Sequence, residues 1–264
     1  MLQQETKQPG SDAVGDAHFL PIALVTGGSQ RVGRVICLAL AGLGYRVAIH
    51  YAHSMKAAHK TRDLILSQGG QADVLQADLT DIAGIRALLQ AVDQLNGRLE
   101  ILINCAALMI SKDLLTLTEQ DWSETMDLNL RTPFFCSQRA SLRMGDGGLI
   151  VNISDYFADQ TWKKYPLYGL SKSSLEHLTR MLANRLEAHI RVNALALAPV
   201  IPPEGTTPEE WSRLIARSPG GQAVPDEQIG RALAYLVENE YISGEVVQVT
   251  ALGFERKPKR ALNG

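Results

Sequence analysis

No apolar run in these 264 residues approaches the ~20 that a membrane-spanning helix needs, so no membrane association is expected. Nor is there an excess of one charge. The 26 Lys and Arg stand against 28 Asp and Glu, a formal net charge of −2, which leaves no electrostatic footprint for nucleic acid. Cysteine is scarce. Cys37, Cys105 and Cys136 are odd in number and lack metal-ligand spacing; they read as buried thiols of a reducing, cytoplasmic compartment. There is no internal repeat and no convincing linker. Residues 1–19 carry Asp12 and Asp16 but no apolar stretch, so they are read as a disordered extension and not a secretory signal. Residues 255–264, with Arg256, Lys257, Lys259 and Arg260, are read as a flexible, solvated tail.

What remains, residues 20–254, is expected to form one domain. At 45% hydrophobic content the chain can bury a large core. Strand-like and helix-like segments alternate, which predicts an α/β fold: a Rossmann-like, doubly wound parallel sheet covered on both faces. Ile22-Ala23-Leu24-Val25 reads as a buried strand. Thr26-Gly27-Gly28-Ser29-Gln30-Arg31-Val32-Gly33 follows at once, and Val35 to Ala41 then reads as a buried helix. Strand, glycine loop, helix is the layout that aims free backbone N–H groups and a positive helix end at a diphosphate. Gly27 would permit the tight turn and Gly33 the close packing of helix on strand. Arg31 stands where a middle glycine is usual and adds a permanent cation.

Tyr168 and Lys172 stand as Y-x-x-x-K, with Asp155 thirteen residues before the tyrosine. Positions i and i+4 share one helix face, so both side chains would enter one cleft. A nearby ammonium favours phenolate, so Lys172 is expected to lower the Tyr168 pKa and make it a proton donor.

Another absence concerns the cofactor. Between Val47 and Asp63 there is no Asp or Glu, whereas an NAD-specific site needs an acid near there for the ribose hydroxyls. Arg31, His53 and Ser54 could instead take a 2′-phosphate. NADP(H) is therefore the expected cofactor. His50 and His53 are not read as a metal pair, because no third ligand stands at metal-site spacing.

These features resemble the short-chain dehydrogenase/reductase family from about Pro21 to Phe254. Ala77-Asp78-Leu79 looks like the segment that holds the adenine. Asn104-Cys105-Ala106-Ala107 looks like the family's N-N-A-G strand end, altered but with Asn104 kept. Asn129 matches the helix asparagine that supports a relay water, and Ala198-Pro199 the loop beside the nicotinamide. Within the family the likeness is to pteridine and dihydromonapterin reductases. It is carried by T-G-x-x-x-R-x-G with Arg31, by His50-Tyr51-Ala52-His53-Ser54 against an H-Y-x-R-S pattern, and by Asp155 where most members have serine. The resemblance implies that Gly27, Ser29, Arg31, Val32 and Gly33 contact the cofactor. It implies the same for Tyr51, His53 and Ser54, for Asp78 and Leu79, and for Asn104, Ala106 and Pro199. Tyr168 and Lys172 complete that set.

It also implies a catalytic group of Asp155, Tyr168, Lys172 and Asn129 acting on a pterin, with Asp155, Tyr168 and Met109 touching the substrate. Met109 stands where relatives carry an aromatic ring, and Tyr156, Phe157, Trp162, Tyr165 and Trp211 are candidates to rebuild an apolar wall. A homotetramer is expected. Leu175, Leu178, Met181, Leu182 and Leu186 form a stripe wider than one seam requires, with a long helix over Trp122–Gln138 as the other half of the contact. A carbonyl reductase of the same family, polarised by Ser154 or Asp155, stays open as an alternative. So does a non-catalytic dinucleotide-binding protein.

Overall fold

Every side chain from Ile22 to Val25 is buried, as a strand covered on both faces requires. A computed structural model describes residues 20–203 and 205–251; the expected extension at 1–19 and tail at 255–264 lie outside the described residues. The chain starts with β1 (Pro21–Thr26), α1 (Arg31–Gly42), β2 (Arg46–Tyr51), α2 (Met55–Ser67), β3 (Gln71–Gln76), α3 (Ile82–Asp93) and β4 (Arg98–Asn104). It continues through α4 (Glu119–Met126), α5 (Thr132–Ser141), β5 (Gly148–Asp155), α6 (Pro166–Arg185), β6 (Ile190–Leu197), α7 (Pro208–Ile215), α8 (Asp226–Glu238) and β7 (Val246–Val249).

The seven strands lie in the order β3-β2-β1-β4-β5-β6-β7, and every pair is parallel. The order reverses between β1 and β4, so their carboxyl ends open the crevice where such sheets bind ligands. Strand alternation divides the core in two. Ala23 and Val25 join Ile36 and Leu40 of α1 and Ile229 and Leu233 of α8. Ile22 and Leu24 join Ile85 and Leu89 of α3, Ala140 of α5 and Leu175 of α6. The fold is the doubly wound α/β sheet that the alternation of elements predicts.

Two expectations are corrected. The helix foreseen over Trp122–Gln138 is divided. α4 ends at Met126, a π-helical turn spans Asp127–Arg131, and α5 opens with Pro133 in its first turn. Such turns recur at functional sites, and this one carries Asn129. The α6 stripe is mostly intramolecular: Leu175, Leu178 and Leu182 are buried in the second core layer, and only Met181 of the stripe is exposed, at 37%. Its width arises because α6 packs on the sheet and also on the π turn and α4.

Candidate active site

The glycine loop is tight because two positions admit no side chain. Gly27 is left-handed, φ +67°, and a Cβ there would lie 2.9 Å from Ala106 Cα. A Cβ on Gly33 would lie 2.1 Å from the Gly27 carbonyl oxygen. α1 begins just after, and Gln30 at its cap makes no side-chain bond to it. Its first N–H groups therefore have no intrahelical acceptor and no side-chain cap. Ser29 is buried, and its carbonyl accepts from the Thr61 hydroxyl at 2.7 Å. Val32 is half-buried.

Arg31 departs from expectation. Its guanidinium donates to the carbonyls of Pro202 (2.6 Å) and Ile201 (3.1 Å). It clasps the loop after β6 and does not reach toward His53 and Ser54, because a planar fork of donors suits two successive carbonyls. At the end of β2, Tyr51 is buried, His53 exposed and Ser54 half-buried. Asp78 is exposed; its Oδ1 accepts from the Thr80 amide (2.9 Å) and hydroxyl (2.6 Å). Those bonds, first the hydroxyl's, hold its carboxyl below the ordinary range. The Leu79 carbonyl accepts from the Thr132 hydroxyl at 2.6 Å.

Asp155 is the last residue of β5, and Tyr168 and Lys172 share a face of α6. The Tyr168 hydroxyl donates to Asp155 Oδ2 at 3.1 Å, and the Phe157 amide donates to Oδ1 at 2.8 Å. Lys172 is buried; its Nζ donates to the Ile153 carbonyl at 2.7 Å and lies 5.6 Å from the Tyr168 ring centre. Burial raises the Asp155 pKa, against the Phe157 amide, the Tyr168 hydroxyl and the Lys172 charge. Burial, then the Asp155 charge and hydrogen bond, raise Tyr168 well above its ordinary value. Burial lowers Lys172. The expectation that Lys172 lowers the Tyr168 pKa is thus overturned: desolvation and the adjacent carboxylate dominate, and the tyrosine holds its proton. Ser154 donates to Glu176 Oε1 at 2.8 Å, about two turns further along α6 than Tyr168. Of the two candidates for a polarising group, only Asp155 meets Tyr168.

Asn129 braces the site. Its Oδ1 accepts the Leu108 amide (2.7 Å), and its Nδ2 donates to the Leu108 carbonyl (2.8 Å) and the Ser171 hydroxyl (3.0 Å). It fixes the segment that carries Met109 to the catalytic helix, and both its amide protons are used within the protein. Asn104 is a tie inside the sheet. Its Nδ2 donates to Ser137 Oγ (3.1 Å) and Asn152 Oδ1 (2.8 Å), and its buried Oδ1 has no partner. Ala106 lies against Gly27. The Pro199 carbonyl accepts from the Val224 amide at 2.8 Å. Met109 and Trp211 are half-buried. Tyr156, Phe157, Trp162 and Tyr165 form successive edge-to-face contacts at 5.1, 5.4 and 5.7 Å, with the Arg217 guanidinium 5.2 Å from the Trp162 ring. They form one packed cluster that begins next to Asp155 in the chain.

Two contributors escaped the sequence reading. Thr26 Oγ1 accepts the amides of Cys105 (2.9 Å) and Ala106 (3.2 Å), fixing the end of β4. His50 accepts the Gly27 amide on Nδ1 at 3.1 Å. The available signal was a polar residue at the carboxyl end of an otherwise apolar buried strand. The glycine cradle, the uncapped helix start and the absence of a carboxylate at the end of β2 fit a dinucleotide bearing a 2′-phosphate.

Comparisons with known proteins agree with this geometry. A family model described as Enoyl-(Acyl carrier protein) reductase matches residues 28–251. The chain is 33% identical to FolM alternative dihydrofolate reductase 1 from Brucella suis, whose structure is a complex with NADP; the likeness covers 88% of this chain and 93% of that one, with a TM-score of 0.82. The angucycline C-6 ketoreductase LanV, with bound NADP, is 28% identical over 87% of this chain and 93% of its own, with a TM-score of 0.82. The 3-oxoacyl-[acyl-carrier-protein] reductase FabG of Staphylococcus aureus is 30% identical, covering 86% of this chain and 95% of that protein.

Proposed function

This chain belongs to the short-chain dehydrogenase/reductase family, and from that premise we propose that it is an NADPH-dependent reductase of a dihydropterin-like C=N bond. The observation that carries the reading is the Asp155–Tyr168 pair at 3.1 Å. A serine at position 155 would offer a hydroxyl suited to a carbonyl oxygen. A carboxyl group can also accept from ring N–H groups, or hold and pass a proton to an imine nitrogen. The likeness to FolM from Brucella suis, titled a dihydrofolate reductase and solved with NADP, supports both substrate class and cofactor.

The cofactor is NADP(H), held by the Gly27–Gly33 loop, the ends of β2 and β3, and Tyr168 with Lys172. When bound, the reduced nicotinamide supplies the hydride. The chain's own residues handle position and protons. Asp155, its pKa raised by burial, and Tyr168, kept as the phenol, present an acceptor and a proton donor to one substrate edge. Lys172 holds the end of β5 through Ile153 and supports the cofactor ribose. Asn129 sets the Leu108–Met109 segment against the catalytic helix, and Met109 packs on the flat substrate. The Tyr156–Tyr165 cluster excludes water.

Reduction of a ketone or 3-oxoacyl carbonyl is the second reading, favoured by the likeness to FabG and LanV. Exposed Trp122, Leu170 and Met181 support self-association through α4 and α6, and a homotetramer is the proposed assembly. The test of substrate is a panel of dihydropterins, ketones and 3-oxoacyl thioesters followed at the NADPH absorbance band. A higher kcat/KM for dihydropterins is expected. Turnover of carbonyls alone overturns the pterin reading, and cofactor binding with no turnover at all overturns the enzyme reading.

A further inference from the structure

We infer that His50 is a positioning residue for the dinucleotide: its imidazole joins the Gly27 amide to the Ala77 carbonyl and so locks the diphosphate loop to the adenine side of the site. The inference rests on reading the Gly27–Gly33 loop as a cofactor site. In β2, side chains alternate between faces, which puts residue 50 on the side of Ala48. Ala48, Ala77 and Leu79 belong to one apolar layer, and His50 sits at its end, 2% exposed. A ring buried there needs partners for both nitrogens. The Gly27 amide donates to Nδ1 at 3.1 Å, and Nε2 lies 3.1 Å from the Ala77 carbonyl. An amide can only donate and a carbonyl can only accept. The two partners therefore fix a neutral ring with its proton on Nε2. Burial pushes its pKa down to about 4, which keeps it neutral at working pH. Both nitrogens are occupied, so this ring has no lone pair left for a metal.

The backbone of the same residue adds a third bond, as the His50 carbonyl accepts the Gly28 amide at 3.0 Å. The first two amides of the loop thus both end on His50. That directs the remaining donors, those of the first turn of α1, outward to an anion. It also holds Gly27 in its left-handed turn. On the other side, Ala77 immediately precedes Asp78, the residue at the adenine position. One imidazole therefore spans the diphosphate and adenine halves of the site while touching neither. The diphosphate is common to NADPH and NADH, so the strut serves both equally. That separates His50 from His53 and Ser54, which stand where a 2′-phosphate would be read.

The test is binding of NADPH and of NADH to the full chain by calorimetry, with kcat and both KM values measured alongside. His50→Phe keeps a ring of similar shape and removes both bonds. His50→Asn restores one acceptor and one donor on a shorter stem. The phenylalanine variant is expected to weaken NADPH and NADH by the same factor, about ten-fold for two lost hydrogen bonds, with kcat changed far less and substrate KM unmoved. The asparagine variant is expected to recover part of that loss. Hydrogen exchange at Gly27 and Gly28 should rise in the phenylalanine variant. Unchanged affinities in a folded His50→Phe protein overturn the inference, as does a loss confined to NADPH. If that variant does not fold, His50→Gln carries the test: equal weakening of both cofactors supports it, and none overturns it. A wild-type protein that binds neither cofactor would instead overturn the functional reading itself.

Discussion

The Tyr168 hydroxyl donates to the Asp155 carboxylate across 3.1 Å, tying the first turn of α6 to the last residue of β5. Burial raises both groups, and the Asp155 carboxylate further raises Tyr168, while the Tyr168 hydroxyl and the Lys172 charge pull Asp155 back down. The site therefore holds a phenol against a carboxylate and not a preformed phenolate.

Replacing Tyr168 by phenylalanine should remove nearly all turnover and leave NADPH binding largely intact, since only the hydroxyl is lost. A positioned general acid contributes about 10²–10⁴ in rate. Steady-state kinetics with a cofactor titration checks this, and retention of more than about half of kcat would contradict the role of Tyr168.

Asp155→Ser should lower kcat/KM for a dihydropterin more than for a simple diketone, because a neutral hydroxyl accepts from ring N–H groups more weakly than a carboxylate and offers one oxygen instead of two. Ser154→Ala is the internal control. Its hydroxyl is engaged by Glu176 and makes no hydrogen bond to Tyr168, so the substrate ratio should not move. An unchanged ratio in the Asp155 variant would remove the argument for a pterin.

His53 is exposed at the end of β2, where the family likeness implies arginine. His53→Arg should widen the preference for NADPH over NADH by about ten-fold, the worth of one charge-assisted contact. Comparing Kd for the two cofactors in both proteins checks it. No change would place the 2′-phosphate elsewhere.

His50 should also leave a mark on stability. Its pKa is about 4 in the folded chain against an ordinary 6.5. Between those values the unfolded chain binds more protons, so stability falls as pH is lowered through that window and is fully present above it. The loss approaches about 3 kcal/mol. Asp121, lowered to about 2 from 3.8, loses its contribution in the same direction but only at more acid pH. Urea unfolding at pH 7 and near 4.5 should show a smaller drop for His50→Asn than for wild type; parallel curves would refute it.

The parts of this molecule that local pattern dictates were legible in the sequence. Ile22–Val25 read as a doubly covered strand, and Gly27 and Gly33 pointed to a backbone packed too closely for a side chain. The Y-x-x-x-K spacing placed Tyr168 and Lys172 on one face. What depends on neighbours from distant segments was not legible. The Tyr168 pKa is set by desolvation and by Asp155, which no spacing reports. The direction of Arg31 is set by carbonyls about 170 residues later. The width of the α6 stripe reflects the π turn packed beside it, and that turn has no periodic signature. His50 was read only as part of a motif, because its two partners, Gly27 and Ala77, stand just beyond β1 and β3.

Arg31 is, among the described residues, the one non-glycine with a positive φ, at 54°. The backbone at this position favours glycine, by roughly 1 kcal/mol or more, while the clasp on Ile201 and Pro202 favours arginine. Glycine would relax the turn and release the loop after β6. Lysine would keep the strain and exchange a two-pronged grip for a single point charge. Position 31 is thus a place where backbone relaxation and the clasp select different residues, and a variant chosen to relieve the turn alone would be drawn toward the substitution that detaches the glycine loop from the loop after β6.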